Sequence, residues 1–309
     1  MTCPEMRVFY PKSHALHRPQ TEDDGKGRRG RAYEVPQRVN SILAGIRSLS
    51  FIRIVPTGPG RLCDAKRVHL PWIIEDVRRG TGKGAIDAWG EILPRTWLAA
   101  LASVTCAVRS AEHMAKTGET SYALTRPPGH HAGRNFYGGY CYFNNAASAA
   151  KFLAEKGKVA ILDLDYHMGN GTQDIFKWRK DVLVASIHAE TPVEYPGEAY
   201  TEITAPNLVN LPLPLKASGK LYFKALEMAM AAIRTFHPRF LVVSIGYDIH
   251  RSDPQGGFGL VSRDFRRIGH RLQSIGLPIL LVQEGGYHLG MLGACARELL
   301  IGLEGAGKR

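Results

Sequence analysis

From residue 122 to the C-terminus, short and largely apolar runs alternate with helix-patterned segments, a pattern that few folds accommodate. The runs are Tyr122–Thr125, Val159–Leu164, Val182–Ile187, Phe240–Ile245 and Pro278–Val282. Helical spacing is found over Asn145–Glu155, around Thr172–Lys177, and over Leu221–Phe236, Ser262–Ile275 and Leu292–Leu303. Apolar runs without polar alternation are strands buried on both faces, and helical crossovers between them imply a mainly parallel sheet. The expected class is therefore α/β. With 309 residues, 44% of them hydrophobic, the chain can bury a large core. It has no internal repeat, low-complexity tract or linker, so one domain spanning residues 1–309 is expected.

The first third is less legible. Arg7–Tyr10 reads as a short strand, and Lys12–Glu34, poor in apolar residues, as a long loop. Pro36 opens an amphipathic helix containing VNSILAGI. Residues 51–93 carry no clear period, and Gly80–Gly84 marks a flexible tip. Arg95–Lys116 has a long helical pattern.

Composition excludes several classes. No apolar run reaches the roughly 18 residues of a membrane span, and the N-terminus lacks a signal-peptide core. Five scattered cysteines without a CxxC suggest neither a disulfide framework nor a cysteine metal site, which fits a reduced cytoplasm. The net charge is +12, and basic residues cluster in Lys26–Arg31 and Arg263–Arg271. Neither segment has interleaved aromatics or a nucleic-acid module, and the second has the spacing of a solvated helix face.

Chemistry-bearing residues collect where the strands end. In AILDLDYHMGNG, Asp163, Asp165 and His167 occupy alternate positions, which share one face of extended backbone. Open α/β sheets place their sites beyond the carboxyl ends of the strands. Two carboxylates with an imidazole suit a divalent metal, Zn²⁺ first; a salt-bridged Asp–His pair is the plain alternative. Three further strand ends carry polar clusters: RPPGHHAG with His130 and His131, GYDIHRSDPQGG with Asp248 as candidate third ligand, and EGGYHLG with Tyr287.

In order and spacing, RPPGHH, GGYCYFNN, DLDYHMGNGTQ, GYD…DP and EGGY resemble the zinc-dependent histone deacetylase superfamily, nearest its bacterial acetylpolyamine amidohydrolases and class II-like members. The resemblance runs from about Arg7 to Leu300 and is thin between roughly 51 and 120. It implies an arginase-like α/β domain with an eight-stranded parallel sheet between helices, and a hydrolase that cleaves acetyl amides. By motif it makes Asp165, His167 and Asp248 the zinc ligands, with Fe²⁺ as the alternative ion. His130 and His131 become the base and acid pair, and Tyr287 the hydroxyl that polarises the acetyl carbonyl. Asp163 would orient His130, and Asn170 stands beside His131 where a second carboxylate is often found. Gly139, Tyr140 and Tyr195 would meet the acyl chain. A structural K⁺ is implied at Asp163, Ser186 and Ile187.

Met168 stands where a second histidine is common, and His250 where a small residue is usual. His250 raises a two-metal, arginase-like alternative, but Gly169 replaces the carboxylate that alternative needs. Cys141 reads as a small packing residue. For the substrate, Glu22 in QTEDDG resembles the acidic position of acetylpolyamine amidohydrolases, and Glu22, Asp23 and Asp24 could otherwise be a solvated loop tip. Gln255 decides nothing. The expected partner is thus a small cationic acetylated amine, with an acetyl-lysine peptide as the alternative. A catalytically silent receptor using the same pocket is the remote one. A homo-oligomer is a further partner arrangement compatible with the sequence.

Overall fold

A computed structural model describes residues 5–23, 29–87, 92–191, 193–197 and 204–305. In chain order it contains β1 (Met6–Pro11), a 3₁₀ turn (Lys12–Leu16), β2 (Thr21–Asp23), β3 (Arg29–Arg31), α1 (Gln37–Ile46) and β4 (Ile52–Thr57). Next come α2 (Leu62–Ala65), α3 (Pro71–Arg79), α4 (Thr96–Thr117), β5 (Ser121–Ala123), α5 (Asn145–Ala154) and β6 (Val159–Asp163). Then follow α6 (Asn170–Phe176), β7 (Val182–Ala189), β8 (Leu208–Leu213) and α7 (Gly219–Phe236). The chain ends with β9 (Phe240–Ile245), α8 (Ser262–Gln273), β10 (Ile279–Gln283) and α9 (Leu289–Glu304). Eight strands form one parallel sheet in the order β4-β1-β5-β10-β9-β6-β7-β8. This is the expected α/β architecture.

Strand alternation divides the core in two. Ala160 and Leu162 of β6, Leu241 and Val243 of β9, and Leu281 of β10 pack under α1, α7, α8 and α9. Their neighbours Val159, Ile161, Val242, Leu280 and Val282 face α4 and α5. Both faces are covered, which is why these strands are apolar throughout. The two edge strands differ: β4 and β8 are only partly buried and carry Pro56 and Pro212. Proline is tolerated at a sheet edge because no ladder hydrogen bond is lost toward solvent.

Two expectations are corrected. Lys12–Glu34 is not a plain loop, since it contains the 3₁₀ turn and an antiparallel β2–β3 ribbon in which Glu22 pairs with Gly30. Strands of three polar residues leave no periodic signal. Nor is Gly80–Gly84 a flexible tip. Gly80 closes α3 in the left-handed region, and the Asp76 carboxylate then takes the Thr81 hydroxyl and the N–H groups of Lys83 and Gly84 (3.3 and 2.8 Å). Tyr137 also donates to Asp76, at 2.8 Å, so this turn is tied to the loop below the site.

The basic stretch on α8 has the solvated character expected of it. Arg266, Arg267 and Arg271 pair with Glu298, Asp264 and Glu227 at 2.7, 3.0 and 2.8 Å. Residues 26–28 of the other basic stretch lie outside the described residues, as does Cys3. Cys63, Cys106, Cys141 and Cys295 are free thiols. Among the described residues no helix is long and apolar enough to cross a membrane.

Candidate active site

The four motif-bearing strands are immediate neighbours, β5-β10-β9-β6, in the middle of the sheet. Parallel strands about 4.8 Å apart bring four consecutive carboxyl ends within roughly 15 Å. Segments separated by more than a hundred residues therefore meet at one edge, and Asp163, the last residue of β6, marks it.

Among the described residues, Asp165, His167 and Asp248 form a group able to hold a metal ion, their ligand atoms all within 4.8 Å of one another. His167 Nδ1 lies 3.3 Å from Asp165 Oδ1 and 3.5 Å from Asp248 Oδ2. Backbone N–H groups fix the carboxylates: Gly285 donates to Asp165 Oδ2 at 2.7 Å, and Tyr166 to Asp248 Oδ1 at 3.1 Å. That leaves Asp248 Oδ2 buried without a hydrogen bond. Leaving a buried carboxylate oxygen unsatisfied is costly unless a cation faces it. Gly246 and Gly285 make the space, because a Cβ on either would lie 2.1–2.7 Å from the Asp165 and Asp248 carboxylates. Burial and the charge of Asp165 push Asp248 up to about 7. Burial opposes ionisation of Asp165 too, but His130 and His167 hold it below the usual range. The donor set and its charge conflict fit a divalent cation.

Two histidines stack beside this group, ring centroids 3.9 Å apart, with different partners. His130 Nδ1 is 3.1 Å from Asp163 Oδ2, and the His130 backbone N–H donates to Glu284 Oε2 at 3.1 Å. Burial disfavours its charge, yet Asp165 and Asp163 raise it to about 10. His131 Nδ1 faces Asn170 Oδ1 at 2.8 Å; burial and the neighbouring charges of His130 and His167 hold it well below 6.5. The adjacent imidazoles are thus set apart, one toward the protonated and one toward the neutral form. His130, Cys141 and Glu284 also lie close enough to hold a metal, but Glu284 already accepts from Gly129 (2.7 Å) and His130, and Cys141 packs as expected.

Tyr287 completes the floor of a cavity of about 390 Å³, lined also by His131, Gly139, Tyr140, His167 and Tyr195. Gly139 has φ +53°, and a Cβ there would come within 2.6 Å of His131 and 2.8 Å of Tyr195. Only glycine lets these two rings approach. Asp87 holds the wall, accepting from the Tyr195 hydroxyl at 2.6 Å and the Gly139 N–H at 3.0 Å. Glu194 and Gln255 line the same cavity. A second cavity of about 600 Å³ shares Gln255 and Tyr287 with it and is lined by Glu22. Glu22, half-buried, accepts the Tyr33 N–H at 3.1 Å; burial raises its pKa, while hydrogen bonds from Tyr33 and Tyr140 oppose the rise. The structure therefore brings Glu22 to the site rim. Asp24 lies outside the described residues.

His250 is not in the metal-capable group; it is buried elsewhere, its Nδ1 accepting the Ser252 N–H at 3.2 Å. Ser186 pairs in register with Asp163, Ile187 follows it on β7, and Ser186 Oγ lies 2.9 Å from His188 Nδ1. Several residues that hold the site together are not singled out by the sequence. Arg38 of α1 donates to the carbonyls of Gly286 and Glu284, both at 2.6 Å, and lies 4.7 Å over the Tyr287 ring. Buried Glu34 in turn bridges Arg38 and Arg126, each at 2.8 Å. Asp253, in the DP of a motif already noted, accepts the N–H groups of Tyr287 and His288 at 2.7 and 3.0 Å.

The histone deacetylase domain model matches residues 32–303. Acetylpolyamine amidohydrolase 1 of Pseudomonas aeruginosa is 36% identical, the match covering 98% of this chain and all of that protein. The acetylpolyamine amidohydrolase of Mycoplana ramosa is 33% identical over 97% of this chain and all of its own length. The crystal structure of the acetylpolyamine aminohydrolase from Burkholderia pseudomallei superposes with a TM-score of 0.90 at 31% identity, over 96% of this chain and 98% of that one. Sheet order, motif placement and full-length similarity agree, and the chain belongs to the histone deacetylase family.

Proposed function

We propose that this protein is a metal-dependent amidohydrolase that removes acetyl groups from acetylpolyamines, acting as one catalytic domain in the cytoplasm. The observation that carries it is the juxtaposition of Asp165, His167 and Asp248 with His131 and Tyr287 around one cavity. Zn²⁺ held by those three ligands, with Fe²⁺ as the alternative, supplies Lewis acidity toward the carbonyl and acidifies water.

The chain's own residues do the remaining work. With the Asn170 amide oxygen facing it, His131 carries its proton on Nδ1 and offers the Nε2 lone pair. A water adding to the acetyl carbon gives its proton to that nitrogen. Tyr287 donates its hydroxyl to the carbonyl oxygen as that oxygen becomes negative. The proton on His131 then passes to the leaving nitrogen as the C–N bond breaks, giving acetate and a free amine. His130, kept toward its protonated form by Asp163, balances the negative charge that develops. Gly139, Tyr140 and Tyr195 hold the acyl group between them. Glu22 at the rim meets a distal ammonium of the substrate. A monovalent cation, K⁺, is assigned to the end of β6 and the β7 residues beside it, at Asp163, Ser186 and Ile187; an anomalous or coordination analysis showing no oxygen cage there would count against it.

Zinc-loaded protein incubated with N8-acetylspermidine should release acetate and spermidine in equal amounts, with loss of activity on chelation and recovery on adding zinc. Release of neither product by fully metallated, folded protein would refute the reading.

A further inference from the structure

Among the described residues, Glu194 is the one carboxylic acid lining the 390 Å³ cavity, and the other described lining residues include no Lys or Arg. It sits in a turn that is fixed on both sides: its N–H donates to Glu190 O at 3.1 Å, and its carbonyl accepts from Gly197 at 2.8 Å. Among the described residues no Lys or Arg pairs with its side chain, although it is partly buried. Asp87, the nearby acid behind Tyr195, is engaged by Tyr195 and Gly139 and does not line the cavity. A carboxylate withdrawn from bulk water at a cavity wall loses solvation, and a cation brought by the ligand restores it. A neutral acetyl amide has no use for such a group, whereas an amine carrying a second nitrogen does. The surrounding protein has a net charge of +12, so a cationic ligand gains nothing from the long-range field and depends on local negative charge.

We propose that Glu194 is a specificity-determining residue that binds an ammonium of the substrate in the 390 Å³ cavity, which adjoins the cavity lined by Glu22 through Gln255 and Tyr287. This assignment rests on the acetylpolyamine reading and adds to it a second acidic contact, on the Tyr195 wall. The site then selects an acetylated diamine or polyamine over an uncharged amide of the same length.

The test compares KM for acetylputrescine with KM for N-butylacetamide, its uncharged counterpart, in the zinc-loaded wild type and in Glu194→Gln and Glu194→Asp. The wild type should favour the charged substrate, and Glu194→Gln should cut the ratio of the two KM values by about tenfold, as expected for one ion pair at a partly desolvated site. Glu194→Asp should retain much of the preference, and added salt should weaken it. Circular dichroism and zinc content establish that each variant is folded, and Glu194→Ser serves if the Gln variant is not. A preference unchanged within about twofold in Glu194→Gln overturns this assignment alone. No preference in the wild type overturns it together with the polyamine reading.

Discussion

Asp165, His167, Asp248, His131 and Tyr287 hang from four adjacent strand ends, while Glu22 lies in the β2–β3 ribbon, Glu194 in a turn, and Asp87 in a connection behind Tyr195. The first group is over-determined. Backbone N–H groups of Gly285 and Tyr166 hold both carboxylates, Asn170 holds His131, and Arg38 and Asp253 hold the segment that carries Tyr287. The second group depends on short turns and on the three-residue ribbon strands at 21–23 and 29–31. On the proposed function, bond cleavage would belong to the sheet and substrate choice to the rim, where a turn can change without disturbing the sheet.

Changes to the floor should therefore act on metal or kcat, and changes to the rim on KM. The largest effect is expected for Asp248→Ala. Indirect contacts alone are worth about 10–100-fold in metal affinity or activity, so loss of a ligand should cost about 10³-fold or more, with metal lost in parallel. Full metal content in that variant, measured by mass spectrometry, would dismiss Asp248 as a ligand. Next come Tyr287→Phe and His131→Ala, each expected to keep zinc and lower kcat by about 10²-fold or more. Near-normal turnover of Tyr287→Phe would make Tyr287 a packing residue. The smallest effect belongs to the rim. A carboxylate and an ammonium about 4 Å apart are worth about 1 kcal/mol even in bulk-water dielectric, and the field of the whole protein is screened over about 8–10 Å. Glu22→Gln should thus raise KM for acetylated polyamines several-fold while changing kcat little. An equal rise for a short neutral acetyl-lysine peptide would show that Glu22 shapes the rim without reading charge.

The same division governs what the sequence disclosed. Strands buried on both faces are continuous apolar runs, and ligands at alternate positions past a strand end announce a site, so β5, β6, β9 and β10 and their motifs were legible. β4 and β8 were not, because edge strands are half-exposed and tolerate proline. Asp253 and Glu284 stood inside quoted motifs, but their parts in holding backbone N–H groups appear only when the strands are brought together. Arg38 reaches Gly286 across 248 positions of sequence, and no local pattern could pair them. Glu194 lies beside Tyr195, and its place in the cavity depends on backbone hydrogen bonds to Glu190 and Gly197 that no local pattern announces.

On the proposed function, this floor and this rim together deacetylate polyamines. That function is tested most directly by measuring kcat/KM of the zinc-loaded protein side by side on acetylputrescine, N8-acetylspermidine and an acetyl-lysine peptide. At least one polyamine should be turned over more efficiently than the peptide by about tenfold, the ratio expected for about 1.4 kcal/mol of added ammonium recognition. Turnover of the peptide at equal or greater efficiency would contradict that function and make the protein an acetyl-lysine deacetylase instead.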